Sequence, residues 1–462
     1  MTNVKYSMKS YAFYDRSGIQ NNLEKQAEKG WLLENIGPVF WKYRRIEPQK
    51  LNYSVAYFPK ASAFDPEPQE EQKIFIDFCE HTGWKLAASS GKMQIFYNEN
   101  ENPVPIETDP LTELESIHKS MKSTSLPGYV VIFILTLLVG FMGIHEAIKH
   151  PLDIITSNEQ ILYYASFAIL FIACAIEAGA YFNWRRKAIK VAESEGIFTD
   201  TWNHNLLTRF LIGIVIITFT IMLACGMNTA EGIMRFVSVI VTITAIFSIA
   251  FASYILKKMK ISTDTHRSVY MLLCLVIPIA LSVFAVNRTM DIADERRDVP
   301  VAVGFEWSQT EKDLPLLLTD LAERQATDDN SYHRYETKNS FLASMLEAEH
   351  ISFATPVSGV SYRVVKVKQN FVYEKCLTAL LKDIDHNIAY AIPDNLSDEE
   401  EKIAIEIDSE IWGAEEAYQL QIAGNPHERY LLCYDDRIIE IDFDIDITNE
   451  QAVEACRILL EI

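Results

Sequence analysis

Between residues 126 and 287 the chain carries five long apolar runs, at 126–148, 161–184, 206–227, 236–256 and 268–287. A bilayer core of roughly 30 Å needs about 20 apolar helical residues to cross it. Inside hydrocarbon each backbone N–H and C=O must be satisfied within its own segment, so runs of this kind fold as helices. The expectation is an all-α transmembrane block of five helices, because five such runs joined by short links do not suit a soluble core. The first run has no charge before Glu146, and the second has Glu177 alone. Arg209 stands at the start of the third, and Pro278 interrupts the fifth, where neighbouring helices tolerate a kink.

Charges in the links set the expected orientation. The link after the second run carries Arg185, Arg186, Lys187 and Lys190, and the link after the fourth carries Lys257, Lys258, Lys260 and Arg267. The links after the first and third runs carry only Lys149 and Arg235. Cytoplasmic loops are enriched in Lys and Arg, so the even links read as cytoplasmic. The N-terminus is then cytoplasmic and the C-terminus extracytoplasmic, in a multi-pass protein of the cell membrane. Arg288, Arg296 and Arg297 follow the fifth run on the outer side and run against this count. No secretory signal precedes the first run, so residues 1–125 are expected to stay in the cytoplasm.

Intramembrane carboxylates are functional or paired. Glu177 lies within reach of the cytoplasmic end of its helix, and Arg209 begins the next helix on that side. The simplest reading is a structural Glu177–Arg209 pair; the alternatives are a Glu177 that snorkels or meets water, and a proton or cation site. The runs show no internal repeat and no second buried acid, which disfavours a transporter.

The chain has 42 Lys and Arg against 63 Asp and Glu. All of that imbalance falls after residue 287, where 16 basic residues meet 37 acidic ones. Such a surface excludes nucleic acid as a partner of the last zone. The seven cysteines form no CxxC pair, and the last zone holds three, so a disulfide there is open but not implied.

The first 125 residues read as an α+β module. Residues 6–15 suggest an aromatic strand, and Ser17 a cap for a helix carrying Ile19, Leu23 and Ala27 on one face. Gly30 ends that helix and Trp31 opens two strands. The order helix, Gly-Trp, strand, strand recurs at Gly83-Trp84, and Tyr43 matches Phe96 in the same register. The unit is βαββ, duplicated, with Trp31 and Trp84 expected to fill helix–sheet cores rather than to bind a ligand. Residues 111–122 read as a helix leading into the membrane.

The stretches FYDRSGIQNNLEKQAEKGWLLENIG, FWKYRRIEPQKLNYSVAYF and FCEHTGWKLAASSGKMQIF are similar to the family known as domain of unknown function 2812, DUF2812. DLPLLLTDL, NSFLASMLEAEH, SYRVVKVKQNFVYEKCL and WGAEEAYQL with RYLLCYDDRIIEIDFD resemble later parts of full-length members. The resemblance implies a bacterial, Firmicute-type membrane protein with a cytoplasmic α+β module. Similar proteins often lie beside PadR-type repressors, which hints at regulation. The family brings no catalytic residues to carry over.

The last zone, residues 288–462, reads as a second, extracytoplasmic α+β domain. Strands are expected at 299–307 and 361–368, and helices at 313–324, 371–382 and 449–460. A hairpin is expected to turn at Asp435-Asp436, and residues 394–401 form a charged loop. Asp442, Asp444 and Asp446 alternate along a strand, so they share a face. They lack the Gly and Glu of a calcium loop, which favours a solvated face over a cation site. No GxSxG, HExxH, P-loop or GxGxxG motif occurs, and no His pair stands at helical spacing. Catalytic, cofactor and metal residues are therefore not assigned. The layout suggests a transmembrane sensor or signal-relay protein with a protein partner on the cytoplasmic face. The alternatives are an accessory subunit of another membrane complex, such as a transporter, and a membrane-surface enzyme with an unrecognised site.

Overall fold

The computed structural model describes residues 3–8, 11–37, 40–201, 205–225, 230–297, 314–321, 331–352, 358–383, 402–422, 424–445 and 447–462. The chain divides into two compact units, one of Met1–Gly140 with Ala165–Glu295 and one of Phe141–Tyr164 with Arg296–Ile462.

The first unit begins with a duplication. Strand β1 (Val4–Met8), helix α1 (Arg16–Glu28) and strands β2 (Trp31–Ile36) and β3 (Phe40–Arg45) are followed by β4 (Asn52–Tyr57), α2 (Glu70–His81), β5 (Lys85–Ser90) and β6 (Met93–Asn98). Each set makes a three-stranded antiparallel sheet, in the orders β1-β3-β2 and β4-β6-β5. Both contain a register shift at the same place, between Leu33 and Asn35 and between Leu86 and Ala88. Such bulges bend a strand at a chosen point, and their repetition shows that the halves share backbone detail as well as order. Tyr43 and Phe96 are both fully buried. Gly30 and Gly83 sit at φ +79° and +89°, the left-handed conformation in which a helix ends without a Cβ clash.

Two local expectations change. The first strand stops at Met8, and residues 11–15 form a turn. The α1 cap is Asp15, whose side chain accepts the Gly18 N–H at 3.0 Å, so Ser17 lies inside the first turn. A carboxylate at this position satisfies an orphan donor and opposes the positive end of the helix.

Helix α3 (Pro110–Thr124) is capped by Asp109 and starts on Pro110. Helix α4 (Leu126–Lys149), the short α5 (Pro151–Ile155), α6 (Asn158–Glu195), α7 (Asn205–Cys225), α8 (Ala230–Lys258) and α9 (Thr263–Arg297) follow. Among the described residues, four segments rather than the expected five are long and apolar enough to cross a bilayer: Leu126–Lys149, Asn158–Glu195, Val239–Lys258 and Thr263–Leu281. The apolar stretch Leu207–Met222 within α7 is shorter. Val130, Phe141, Ile216, Phe251 and Leu275 are exposed on these helices, as suits side chains facing lipid.

The second apolar run does not end at Trp184. Helix α6 continues to Glu195, 38 residues in all. Tyr181, Trp184, Ala188 and Ala192 continue one buried stripe at helical spacing, while Arg186, Lys187 and Lys190 point outward. The basic residues of the expected loop are thus the polar face of a helix.

The second unit is built on a seven-stranded antiparallel sheet. Helix α10 (Leu318–Leu321), strands β7 (Ser331–Asn339), β8 (Ala343–Ser352) and β9 (Ser358–Val367), helix α11 (Tyr373–Lys382), strands β10 (Lys402–Glu406), β11 (Glu416–Ile422), β12 (Asn425–Tyr434) and β13 (Arg437–Asp444), and helix α12 (Asn449–Leu460) make up the domain. The strand order is β10-β11-β12-β13-β9-β8-β7. One face buries Val360, Tyr362, Ile439 and Ile441 with Ala455 and Leu459 of α12. On the other, Val365, Val367 and Ile438 pack with Cys376 and Leu380 of α11 and with Leu152 and Ile155 of α5. Asp153 also meets Lys338 at 2.7 Å, so the link between the first two apolar helices belongs to this unit. Cys376, Cys433 and Cys456 are buried free thiols. The expected strand at 299–307 and the charged loop 394–401 lie outside the described residues. Of the expected helix 313–324, the described part holds only α10.

Candidate functional site

Two polar centres stand out, one in each unit. In the first unit, the module's core extends onto the membrane helices. Tyr14 lies 5.0 Å from Tyr181 and 5.1 Å from Trp184, ring centroid to centroid. Leu114, Ile117 and Met121 of α3 share this core with Ala188 and Ala192 of α6. Around it runs a belt of polar contacts. Asp15 accepts a hydrogen bond from Thr201, and Ser17 donates to Asp200 at 2.6 Å. Arg16 pairs with Glu113 at 2.9 Å and lies over the Phe198 ring at 4.4 Å.

Glu113 is buried, and burial raises its carboxyl to about 7 despite the opposing Arg16 charge, with Glu107 adding to the rise. Desolvation outweighs the ion pair here, so the carboxyl titrates near neutrality. The Tyr57 phenol beside it is pushed up by burial and donates to the Phe13 carbonyl at 2.6 Å. The same module touches the first turn of α9 and the link before it: Asp65 accepts from Thr263 at 2.6 Å, the Phe64 carbonyl meets His266 at 3.0 Å, and Lys260 reaches Glu67.

In the second unit, charged side chains form a ladder across one sheet face. Strand register sets Glu347 opposite Arg363, Arg363 opposite Glu440, and Arg429 opposite Asp442. Arg429 binds Glu440 at 2.5 Å, Arg363 lies 3.4 Å from Glu440 and 3.7 Å from Glu347, and Arg334 lies 3.3 Å from Glu347. Glu440 and Glu349 are 1% exposed. Buried charges persist only when paired, and alternating signs across neighbouring strands supply the pairing. The arrangement fixes register. Burial pushes the Cys433 thiol up to about 12, with Glu416 adding to the rise, so it stays protonated and a poor nucleophile. Among the described residues, no group of three His, Cys, Asp or Glu is placed to hold a metal ion.

The residues singled out from sequence fall as follows. Trp84 is 3% exposed and donates its indole N–H to the Val104 carbonyl at 2.8 Å. Trp31 is partly buried, with Lys5 and Arg45 over its ring at 5.5 and 4.9 Å. Asp442 is buried rather than solvated. Burial raises its carboxyl, against the charges of Arg429 and His427. Asp444 on the same strand is exposed, and Asp446 lies outside the described residues. Glu177 and Arg209 both act on the loop before α1. Burial raises Tyr11 to about 12 while Arg209 opposes the rise, and burial raises Tyr14 with Glu177 adding to it. The ion pairs of the ladder were not singled out. Their signal was the alternation of Glu347 with Glu349 and of Glu440 with Asp442 among apolar neighbours.

No curated protein and no solved structure matches the chain. Residues 15–128 match the family model described as "Protein of unknown function (DUF2812)". The match runs from the α1 cap through both repeats and α3 into the first turn of α4, and leaves the C-terminal domain outside it. The segment 15–128 of this chain belongs to the DUF2812 family.

Proposed function

We propose that the chain is a five-span membrane protein, with the N-terminal module cytoplasmic and the C-terminal domain extracytoplasmic, that relays the state of the outer domain to a protein partner of the module. The observation that carries this reading is helix α6. Its first turn belongs to the C-terminal unit, where Asn158 accepts the Phe341 N–H at 3.0 Å. Its last turns are part of the module core. At 1.5 Å per residue the helix is about 57 Å long, and it contributes residues to both units. The grouping of links supports the parity of the crossings, and the positive charges of the links carry the orientation. Segments 196–201 and 260–266 lie with the module, whereas segment 149–158 lies with the C-terminal domain, which fits an odd number of crossings. An outer stimulus relays only if it binds one of two states better than the other.

The test is crosslinking of the module to its neighbours in native membranes, with residues 298–462 present and deleted. The relay reading predicts altered partner occupancy on deletion and between envelope conditions. Identical partners and occupancy throughout would favour an accessory subunit of another membrane complex instead.

A further inference from the structure

The duplication of the module leaves two unmatched surfaces. The register pairs Val4 with Arg44, Tyr6 with Lys42 and Met8 with Phe40. In the second repeat the same positions are Tyr53 with Tyr97, Val55 with Ile95 and Tyr57 with Met93. That second face is buried in the module core, with α1 packed on β4. Its counterpart in the first repeat is bare: Tyr6 is 65% exposed, Met8 72% and Phe40 54%. The sheet that repetition would place under a helix therefore has an apolar face and no helix on it among the described residues.

The second surface is on α2. Ile74 is 67% exposed and Phe78 59%, one turn apart on the helix. The equivalent positions of α1, counted from Gly83 and Gly30, are Asn21 and Lys25, both exposed and polar. The apolar ridge is therefore peculiar to the second repeat. Charge distinguishes the two surfaces. The bare sheet face is rimmed by exposed Arg44 and by Lys42, which pairs with Glu34 at 3.1 Å, whereas the α2 ridge is flanked by exposed Asp77 and Glu80, by Glu71, which pairs with Lys60, and by Lys73.

We infer that the α2 ridge of one chain docks on the bare β1–β3 face of a second copy, covering by a helix of another molecule the sheet face whose counterpart in the second repeat lies under α1. Apolar residues meet at the centre, and opposite charges meet at the rim, where they govern partner choice and orientation more than affinity. Because the two surfaces differ, the contact is heterologous and builds a ring or an open chain of copies.

The test uses the full chain in isolated membranes, with Phe40→Cys and Phe78→Cys made separately. Oxidation of membranes co-expressing the two variants should give a disulfide-linked dimer, and membranes holding either variant alone should give none from these sites. Arg44→Glu should abolish the band, and Asp77→Arg in the partner should restore it, a rescue that misfolding would not produce. Absence of the mixed band while each variant extracts as a folded chain overturns the inference. A band that ignores the charge exchange overturns it equally, as does capture of these cysteines by a different protein.

Discussion

The Trp184 indole lies 5.1 Å from the Tyr14 ring, so a residue of helix α6 is part of the core of the N-terminal module. Removing a buried Trp takes away its transfer free energy and leaves a cavity, at a cost of about 3–5 kcal/mol. Trp184→Ala should therefore lower the melting temperature of the purified chain and open residues 3–124 to proteolysis, with helices α4 to α9 still protected. A module as resistant as before would mean that α6 only brushes against it.

Glu113 gives the module a defined pH dependence. Its carboxyl titrates at about 7 in the folded chain against an ordinary 4.5, so the folded state holds the proton more tightly. Below about 4.5 the carboxyl is neutral in both states and burial carries no charge penalty. As pH rises from 4.5 to about 7, the contribution of this group to stability falls. Thermal unfolding across that window should show the decline, and Glu113→Gln should flatten it. An unchanged slope in the variant would assign the dependence elsewhere.

His350 acts in the opposite direction in the C-terminal domain. It is 1% exposed and its Nδ1 accepts the Leu318 N–H at 3.0 Å, which requires the neutral ring. Burial lowers it from 6.5 to about 4, with the neighbouring His333 adding to the fall. An unfolded chain binds this proton first, so stability is full above about 6.5 and is lost as pH falls toward 4. Hydrogen exchange of β8 and α10 in the full chain should accelerate over that interval, and His350→Gln should remove part of the acceleration. Equal acceleration in the variant would exclude His350 as the cause.

Much of the module was legible because its signals are local. Gly30 and Gly83 mark helix ends that need a positive φ, and the following Trp residues mark the strands. The cap was misplaced by two residues because Asp15 and Ser17 are both good caps, and only the folded turn shows which carboxyl or hydroxyl reaches an N–H. The end of α6 was misread for a related reason. Arg185 to Lys190 break the apolar run without breaking the helix, and the stripe through Trp184, Ala188 and Ala192 becomes visible only against the module core. The C-terminal sheet was harder. Ala343–Ser352 is rich in Ala, Met, Leu and Glu, which favour helix, and it becomes a strand by pairing with β7 on one side and β9 on the other. Asp442 read as solvated because its neutralising Arg429 comes from another strand.

Glu177 and Arg209 are proposed to act as one charge cluster with the Tyr11–Tyr14 segment. A double-mutant cycle of Glu177→Gln and Arg209→Gln, read by thermal stability in detergent, should show the double variant less destabilised than the two single losses added together. Simple additivity would separate the two charges.

Topology bears most directly on the proposed relay, because that relay needs α6 to run from an outer domain to an inner module. Single cysteines at Ser125, Glu193, Asp264, Asp153, Thr229 and Asp298 can be probed in sealed cells with a membrane-impermeant maleimide. The account predicts labelling at Asp153, Thr229 and Asp298, and protection at Ser125, Glu193 and Asp264 until the cells are opened. Protection at Asp298 together with labelling at Asp153 would give an even number of crossings, put both termini on one side, and contradict the account.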